Sequence, residues 1–468
     1  MSVELPQNRS EIVPEFDGHS YDATRLIPAH DRVFCVPPVV GKINERVAFF
    51  RTQNFGPFLS VLPVIEGLRT EGWTLLLSAG NPAPKAMAQK MFGEYAFEAG
   101  RDHVSTPSAF LFSAVPPLDE IVREVALYKD HVPHGKVIGL EDFPHSISEV
   151  LHILHQSKMF PDCVMTTVES QRRIYQRLYP DSVIVHTGNP ANDALFLGDQ
   201  SESSRVAMLR QELGISENDR LLVIVGKPDG DLTLSQEKQE THLKTLNTHL
   251  VDIEIRDANS MMLYEVTHDV SSIAERICVN TRGRLFVWYL PHQREAVQYD
   301  KAVWNQFIHK PDPNIVPISR RLTSLPDLSA ESLTVLSRVS HGIIGIDSTV
   351  LDMTALLYIH RALRGQQSAM PMSVHNGDFG MYGQVSRVVA SHAVRAPLVE
   401  VNADGTQDII ISLASILEDV LVGRSPTKKM RENMSRFARD YGVLSVDGNV
   451  VEETATMRVI RAWKQYVG

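Results

Sequence analysis

Short apolar runs alternate with stretches of helical periodicity over most of the chain, and this alternation sets the expected fold. The first clear unit is an apolar strand at residues 47–50, a turn at 51–57, a helix at 58–68 closed by Gly72, and a second strand at 73–77. A strand–loop–helix–strand unit implies parallel pairing through a right-handed crossover. Further units follow: a helix at 118–128, a strand at 136–140, a helix at 146–157, a strand at 163–166, a helix at 170–178 and a strand at 182–186. The polar segment Gly198-Asp-Gln-Ser-Glu-Ser-Ser204 interrupts the series and marks a domain boundary. A second series then begins, with a helix at 204–213, a strand at 221–225, a long helical region at 235–250 with further helical segments to about 276, and a strand at 285–290. A Pro-rich loop at 311–326 precedes a strand at 342–346 and a helix at 350–363, and the tail from 408 reads as mainly helical. Residues 1–44 form a loose lead-in with one strand at 32–36, and residues 453–466 form a terminal amphipathic helix. The pattern predicts an α/β protein with two doubly wound, Rossmann-like parallel-sheet domains.

Composition narrows the function classes. At 468 residues the chain exceeds one typical core, which agrees with two domains. A net charge of −10, without a basic run, argues against a nucleic-acid partner. The three cysteines (Cys35, Cys163, Cys278) show no metal-ligand spacing, so neither a disulfide framework nor a zinc site is expected. The N-terminus lacks the basic and apolar regions of a signal peptide, and no apolar run is long enough to cross a bilayer, so a cytoplasmic location is expected.

Candidate chemistry lies where strands run into helices. In His341-Gly-Ile-Ile-Gly-Ile-Asp-Ser-Thr-Val-Leu-Asp-Met-Thr-Ala355, a buried strand turns sharply into a helix. A helix start carries unpaired N–H groups and positive dipole, which suits phosphate. Asp347, Ser348 and Thr349 are all good N-caps, Ser348 and Thr349 add hydroxyl donors, and Asp352 is placed one turn in to accept from a sugar hydroxyl. The same residues also describe an ordinary capped helix. Asn54 and Gly56 occupy a second strand-to-helix loop of the kind where ligands gather in open parallel sheets. The polar loop Glu141-Asp-Phe-Pro-His145 follows another strand.

Four motifs in order resemble the GT-B glycosyltransferase fold and its relatives. Thr187-Gly-Asn-Pro-Ala-Asn-Asp193 is similar to the "GNP/GHP…D" element at the passage between the two halves. Leu221-Leu-Val-Ile-Val-Gly-Lys227 resembles the first strand and glycine turn of the donor-binding half. Tyr289-Leu-Pro-His-Gln-Arg-Glu295 resembles the strand-end "P-H" element of nucleotide-sugar 2-epimerases and teichoic-acid-type polyol-phosphate transferases. Gly345-Ile-Asp-Ser-Thr-Val-Leu-Asp352 resembles the "D-S-x-x-x-x-E" donor motif, with Asp in place of Glu. Two departures stand out: a polar segment at 360–370 replaces the usual short "A-x-x-G-x-P" turn, and the first half lacks the full catalytic pattern of the 2-epimerases.

The resemblance implies two domains facing a cleft: a lead-in at 1–45, an acceptor-side domain at 46–198, a donor domain at 199–450, and a C-terminal helix at 451–468 packing back on the first. It implies a metal-independent glycosyltransferase that needs no cofactor and takes a nucleotide-sugar donor as substrate. The acceptor would be a glycan, a lipid-linked molecule or a protein, with room for peripheral membrane association. A 2-epimerase, a polyol-phosphate transferase with a CDP donor and an inactive nucleotide-sugar binding protein are the alternatives. Donor contacts are expected from Asn54, Gly56, Gly226, Lys227, His292, Asp347, Ser348, Thr349 and Asp352. The catalytic base is expected among Glu141, Asp142 and His145, with His131 and His134 as weaker candidates.

Overall fold

The computed structural model describes residues 43–52, 55–79, 106–113, 118–142, 144, 146–196, 202–226, 258–290, 304–305, 307–309, 312–318, 330–345, 349–374, 394–396, 413–424 and 428–467. In the first half the strands are β1 (Ile43–Thr52), β2 (Thr74–Ala79), β3 (Thr106–Ser113), β4 (Lys136–Leu140), β5 (Cys163–Thr166) and β6 (Ile184–His186). Its helices are α1 (Phe55–Thr70), α2 (Leu118–His131), α3 (Ser148–Gln156) and α4 (Glu169–Leu178), followed by a 3₁₀ turn at Pro190–Leu195. All six strands pair in parallel in the order β2-β1-β3-β4-β5-β6. The order reverses between β1 and β3, which makes that junction a topological switch point.

The second half holds β7 (Arg220–Val225), β8 (Leu285–Leu290), β9 (Ile315–Ile318), β10 (Gly342–Gly345), β11 (Met370–Val374) and β12 (Val394–Ala396). Its helices are α5 (Glu202–Leu213), α6 (Ala258–Thr281), α7 (Ala330–Val339), α8 (Thr349–Ala362), α9 (Leu413–Val422) and α10 (Lys428–Asp440), and α11 (Ala455–Tyr466) ends the chain. The order β12-β11-β10-β7-β8-β9 is that of a dinucleotide-binding sheet, with its reversal between β7 and β10. Two doubly wound parallel-sheet domains thus follow one another along the chain in an α/β fold.

Both sheets are buried on both faces, as parallel sheets covered by helices must be. In β1, Val47 and Phe49 enter one apolar cluster while Ala48 and Phe50 enter the opposite one. In β7, Leu222 and Ile224 face one cluster and Leu221, Val223 and Val225 the other. The two-residue period of a strand therefore feeds two cores at once.

Several elements differ from the sequence reading. The sequence pattern assigns no element between residues 78 and 117, yet β3 is an interior strand between β1 and β4, with Pro107 near its start. The Pro-rich loop expected at 311–326 contains β9, and Pro317 is tolerated there because β9 is an edge strand. Neither β11 nor β12 was expected, and the several helical segments expected before residue 276 form one continuous helix of 24 residues, α6. The strand expected at 32–36 and the helix expected at 235–250 lie outside the described residues.

The last helix returns to the first domain. Trp463 of α11 is fully buried, stacked on Phe50 at 5.7 Å and edge-on to Trp73 at 5.3 Å. Gly67 of α1 permits this approach, since a Cβ there would lie 2.2 Å from Cδ1 of Ile460.

Candidate functional site

The carboxyl ends of strands in both sheets converge around Tyr441, the residue that follows α10. Its hydroxyl donates to Oδ2 of Asp352, in the first turn of α8, at 2.8 Å. Burial first, and then the Asp352 carboxylate, push the phenol well above its ordinary value, and Glu141 of the first domain adds to the same effect. Glu141 directly follows β4, so one tyrosine feels acidic groups from both domains. Val168, just beyond β5, packs into the apolar core of the second domain and closes this junction on the other side.

Around Glu141 the geometry is closed. The residue is fully buried; Tyr175 donates to its Oε1 at 2.7 Å and the Thr167 N–H donates to its Oε2 at 3.2 Å. Tyr175 also lies 2.6 Å from Ser148 Oγ, and its phenol is raised well above normal by burial and then by Glu141. A carboxylate held this way ties β4, β5, α3 and α4 together. Among the described residues this leaves Glu141 no exposed surface, against the expectation that it faces the substrate. Asp142, also buried, donates its N–H to Ser146 Oγ at 3.3 Å, and its carbonyl accepts from the Asn189 amide. His145 lies outside the described residues. His131 and His134 flank the amino end of β4, the opposite edge of the sheet from Glu141, so neither shares a site with it.

The expected donor residues divide similarly. Asp352 is 4% exposed, and its Oδ2 accepts from Tyr441, a bond that braces the start of α8. The Gly226 N–H donates to the Leu290 carbonyl at 3.0 Å and is thus taken by the sheet, which removes it as a phosphate donor. Gly56 falls in the first turn of α1, and Thr349 is the first residue of α8. Asn54, Lys227, His292, Asp347 and Ser348 lie outside the described residues. Helix α8 does begin beside β10, at the switch point of the second sheet.

At the other switch point, sequence reasoning missed a buried ion pair. Arg51, near the end of β1, donates through Nε to Glu124 of α2 at 2.9 Å, and both side chains are buried. Its Nη1 donates to the Thr52 carbonyl at 3.0 Å. Thr52 pairs with Ser113 at the end of β3, and the Ser113 hydroxyl is buried without a hydrogen-bond partner among the described residues. An arginine directly after the apolar run 47–50 was the one available signal; its partner, 73 residues away, left none.

The Gly-Asn-Pro element is a clasp. Gly188 takes a φ of +80°, a left-handed conformation natural to glycine. Asn189 Oδ1 accepts from the Ala191 N–H at 2.9 Å and from Ser60 Oγ at 3.0 Å, while its amide reaches Asp142. Asp193 accepts from the N–H groups of Ala455 and Thr456, both at 2.8 Å, which places a carboxylate at the N-terminus of α11. Arg458 donates to the carbonyls of Thr187 at 2.7 Å and Gly442 at 3.0 Å. Ser170, at the start of α4, donates from N at 2.7 Å and from Oγ at 2.6 Å to Asp440 of the second domain. None of Ser170, Asp440, Tyr441 or Arg458 stood out in the sequence, because each meets a partner brought in by tertiary folding.

His186 sits inside this clasp, and burial, then Arg458, lower its pKa from 6.5 to about 4. The unfolded chain therefore binds a proton that the folded chain refuses. The stabilising difference is fully present above pH 6.5 and is lost as pH falls through about 4. We expect the unfolding free energy to decline with acidification across that window and His186→Asn to flatten the decline, measured by urea titrations at stepped pH. An unchanged slope would show that the ring titrates alike in both states.

Among the described residues, no group of three or more His, Cys, Asp or Glu is placed to hold a metal ion. No described helix is long and apolar enough to cross a membrane.

No protein-family profile matches the chain, and no curated protein matches it. Solved structures resemble it at low identity. A protein assigned as a UDP-N-acetylglucosamine 2-epimerase from Listeria monocytogenes is 12% identical, with 91% of this chain and 96% of that one covered and a TM-score of 0.49. A glycosyltransferase from Rickettsia africae is 9% identical, with 90% and 98% covered and a TM-score of 0.47. The wall teichoic acid polymerase TagF is 10% identical, with 91% and 90% covered and a TM-score of 0.43. Likenesses of this size assign no residue a role.

Proposed function

We propose that the chain is a metal-independent glycosyltransferase that moves a sugar from a nucleotide-activated donor to an acceptor. The observation that supports this reading best is the reversal of the second sheet between β7 and β10, where a short connection from Gly345 opens into α8 at Thr349. Ligands of open α/β sheets bind outside the carboxyl ends of the strands at such a reversal, and the helix start there favours phosphate. In this reading the first-turn N–H groups of α8 and the hydroxyls of Ser348 and Thr349 receive the donor diphosphate. Lys227 follows β7 and His292 follows β8 in sequence, and in this reading both supply further donors as charge develops on the leaving group.

Asp352 is then a positioning residue. Its bond to Tyr441 fixes the start of α8 against the inter-domain junction. The acceptor occupies the first domain, and the proton-accepting role falls to Asp142 or His145, since Glu141 is sealed.

A panel of UDP-, GDP-, ADP- and CDP-activated sugars, with CDP-glycerol alongside, tests the proposal. Release of free nucleotide with the sugar recovered on an acceptor is the expected outcome. An isomerised donor would instead identify an epimerase, transfer from CDP-glycerol a polyol-phosphate transferase, and binding without turnover an inactive binding protein. Ser348→Ala and Thr349→Val test the phosphate site. Loss of one hydrogen bond to a charged group costs about 1.5–3 kcal/mol, or roughly ten- to a hundredfold in nucleotide affinity. Native affinity with a lowered melting temperature would show that these residues only cap the helix.

A further inference from the structure

At the amino-terminal edge of the second sheet lies a polar cavity of about 490 Å³, lined by Arg210, Glu217, Arg220, His341, Gln367 and Gly423. Arg220 opens β7, His341 precedes β10 and Gln367 precedes β11, so the cavity sits under three adjacent strands. The donor edge is at their other ends. Six residue steps along β7, at about 3.3 Å each, put Gly226 roughly 20 Å away. The cavity therefore lies apart from the proposed donor site.

The cavity sets two guanidiniums and an imidazole against one carboxylate, Glu217, and one amide, Gln367. The guanidinium of Arg210 makes no hydrogen bond or ion pair among the described residues. Arg220 spends Nε on the Leu421 carbonyl at 2.7 Å and Nη1 on the carbonyls of Glu217, Asn218 and Asp219 at 3.0–3.3 Å, which leaves Nη2 outside those bonds. His341 accepts at Nδ1 from the Leu221 N–H at 3.2 Å, so the neutral ring carries its proton on Nε2. The ring stays neutral because burial, then Arg220, then Arg210 hold its pKa down to about 3. Arg424, next to Gly423, is engaged with Asp419 at 2.6 Å and adds no free charge.

We propose that this cavity binds a small phosphorylated polyol or sugar. Arg210, the free edge of Arg220 and His341 Nε2–H would take the phosphate, and Glu217 and Gln367 would take hydroxyls. A phosphate fits the donors because guanidinium forks match its oxygens. The volume lies within the range of small-molecule pockets, about 300–1,000 Å³, and exceeds what a bare phosphate needs. Glu217, a carboxylate at the same site, accepts hydroxyls and disfavours a purely anionic occupant.

Calorimetric titration of the full chain with glycerol 3-phosphate, inorganic phosphate and glycerol tests this. The ester is expected to bind, phosphate to bind more weakly, and glycerol not at all. Arg210→Gln, which breaks no described bond, is expected to weaken the ester by ten- to a hundredfold. The phosphate dianion offsets the two guanidiniums, so the His341 ring proton followed by NMR should titrate at higher pH when the ester is present. Absence of binding at millimolar ester, equal affinity for phosphate and ester, or undiminished affinity in Arg210→Gln would each overturn the proposal.

Discussion

Glu124→Ala is expected to destabilise the first domain by about 3–5 kcal/mol, because it strips a buried arginine of its carboxylate. Arg51 and Glu124 meet at 2.9 Å with both side chains buried. The pair locks α2 onto the end of β1, beside the β1/β3 reversal. The attraction between two such charges only balances the cost of removing both from water, so deleting the pair together is far milder than deleting one member. Arg51→Met with Glu124→Leu should therefore recover most of the loss. Urea unfolding followed by fluorescence and circular dichroism measures all three proteins. A loss below about 1 kcal/mol in Glu124→Ala would mean that the other contacts of Arg51 carry its charge.

Trp463→Ala comes next, with an expected loss of about 3–5 kcal/mol for truncating a fully buried indole. Its ring fills the space between Phe50 and Trp73, so the cavity left would open between α11 and the first sheet. Trp463 Nε1 is buried without a hydrogen-bond partner among the described residues. Trp463→Phe removes that unsatisfied donor while retaining most of the apolar contact, and should be much the milder change. Limited proteolysis adds a local readout, with cleavage within residues 455–466 of the alanine variant and protection in the phenylalanine variant. Equal damage from both substitutions would show that shape, and not burial of apolar surface, holds the helix.

The alternation that sequence reading depends on was strongest where residues answer to local rules. β4, β5 and β8 lie where apolar runs placed them, since an inner parallel strand must be apolar along its whole length. α8 begins within a residue of its expected start because N-cap chemistry is local. β9 falls in a stretch read as a Pro-rich loop, and β3 in one to which no element is assigned. A proline within a run weakens a strand reading, yet Pro107 sits near a strand start and Pro317 on an edge, where a ladder hydrogen bond is dispensable. Only the assembled sheet decides which position that is.

The candidate site divides along the same line. The sequence by itself determined that strand-to-helix turns carry Glu141, Gly226, Thr349 and Asp352, because each lies beside its own strand or helix start. It did not determine which of them are open to a ligand. Among the described residues, Glu141 pairs with Tyr175 and Thr167, Gly226 with the Leu290 carbonyl and Asp352 with Tyr441, and those partners stand 26 to 89 residues away for the two carboxylates. A carboxylate's type and neighbours in sequence say that it can accept a proton or a hydrogen bond. Whether water, substrate or a buried phenol supplies that bond depends on packing between elements distant in the chain, and tertiary structure alone decides it.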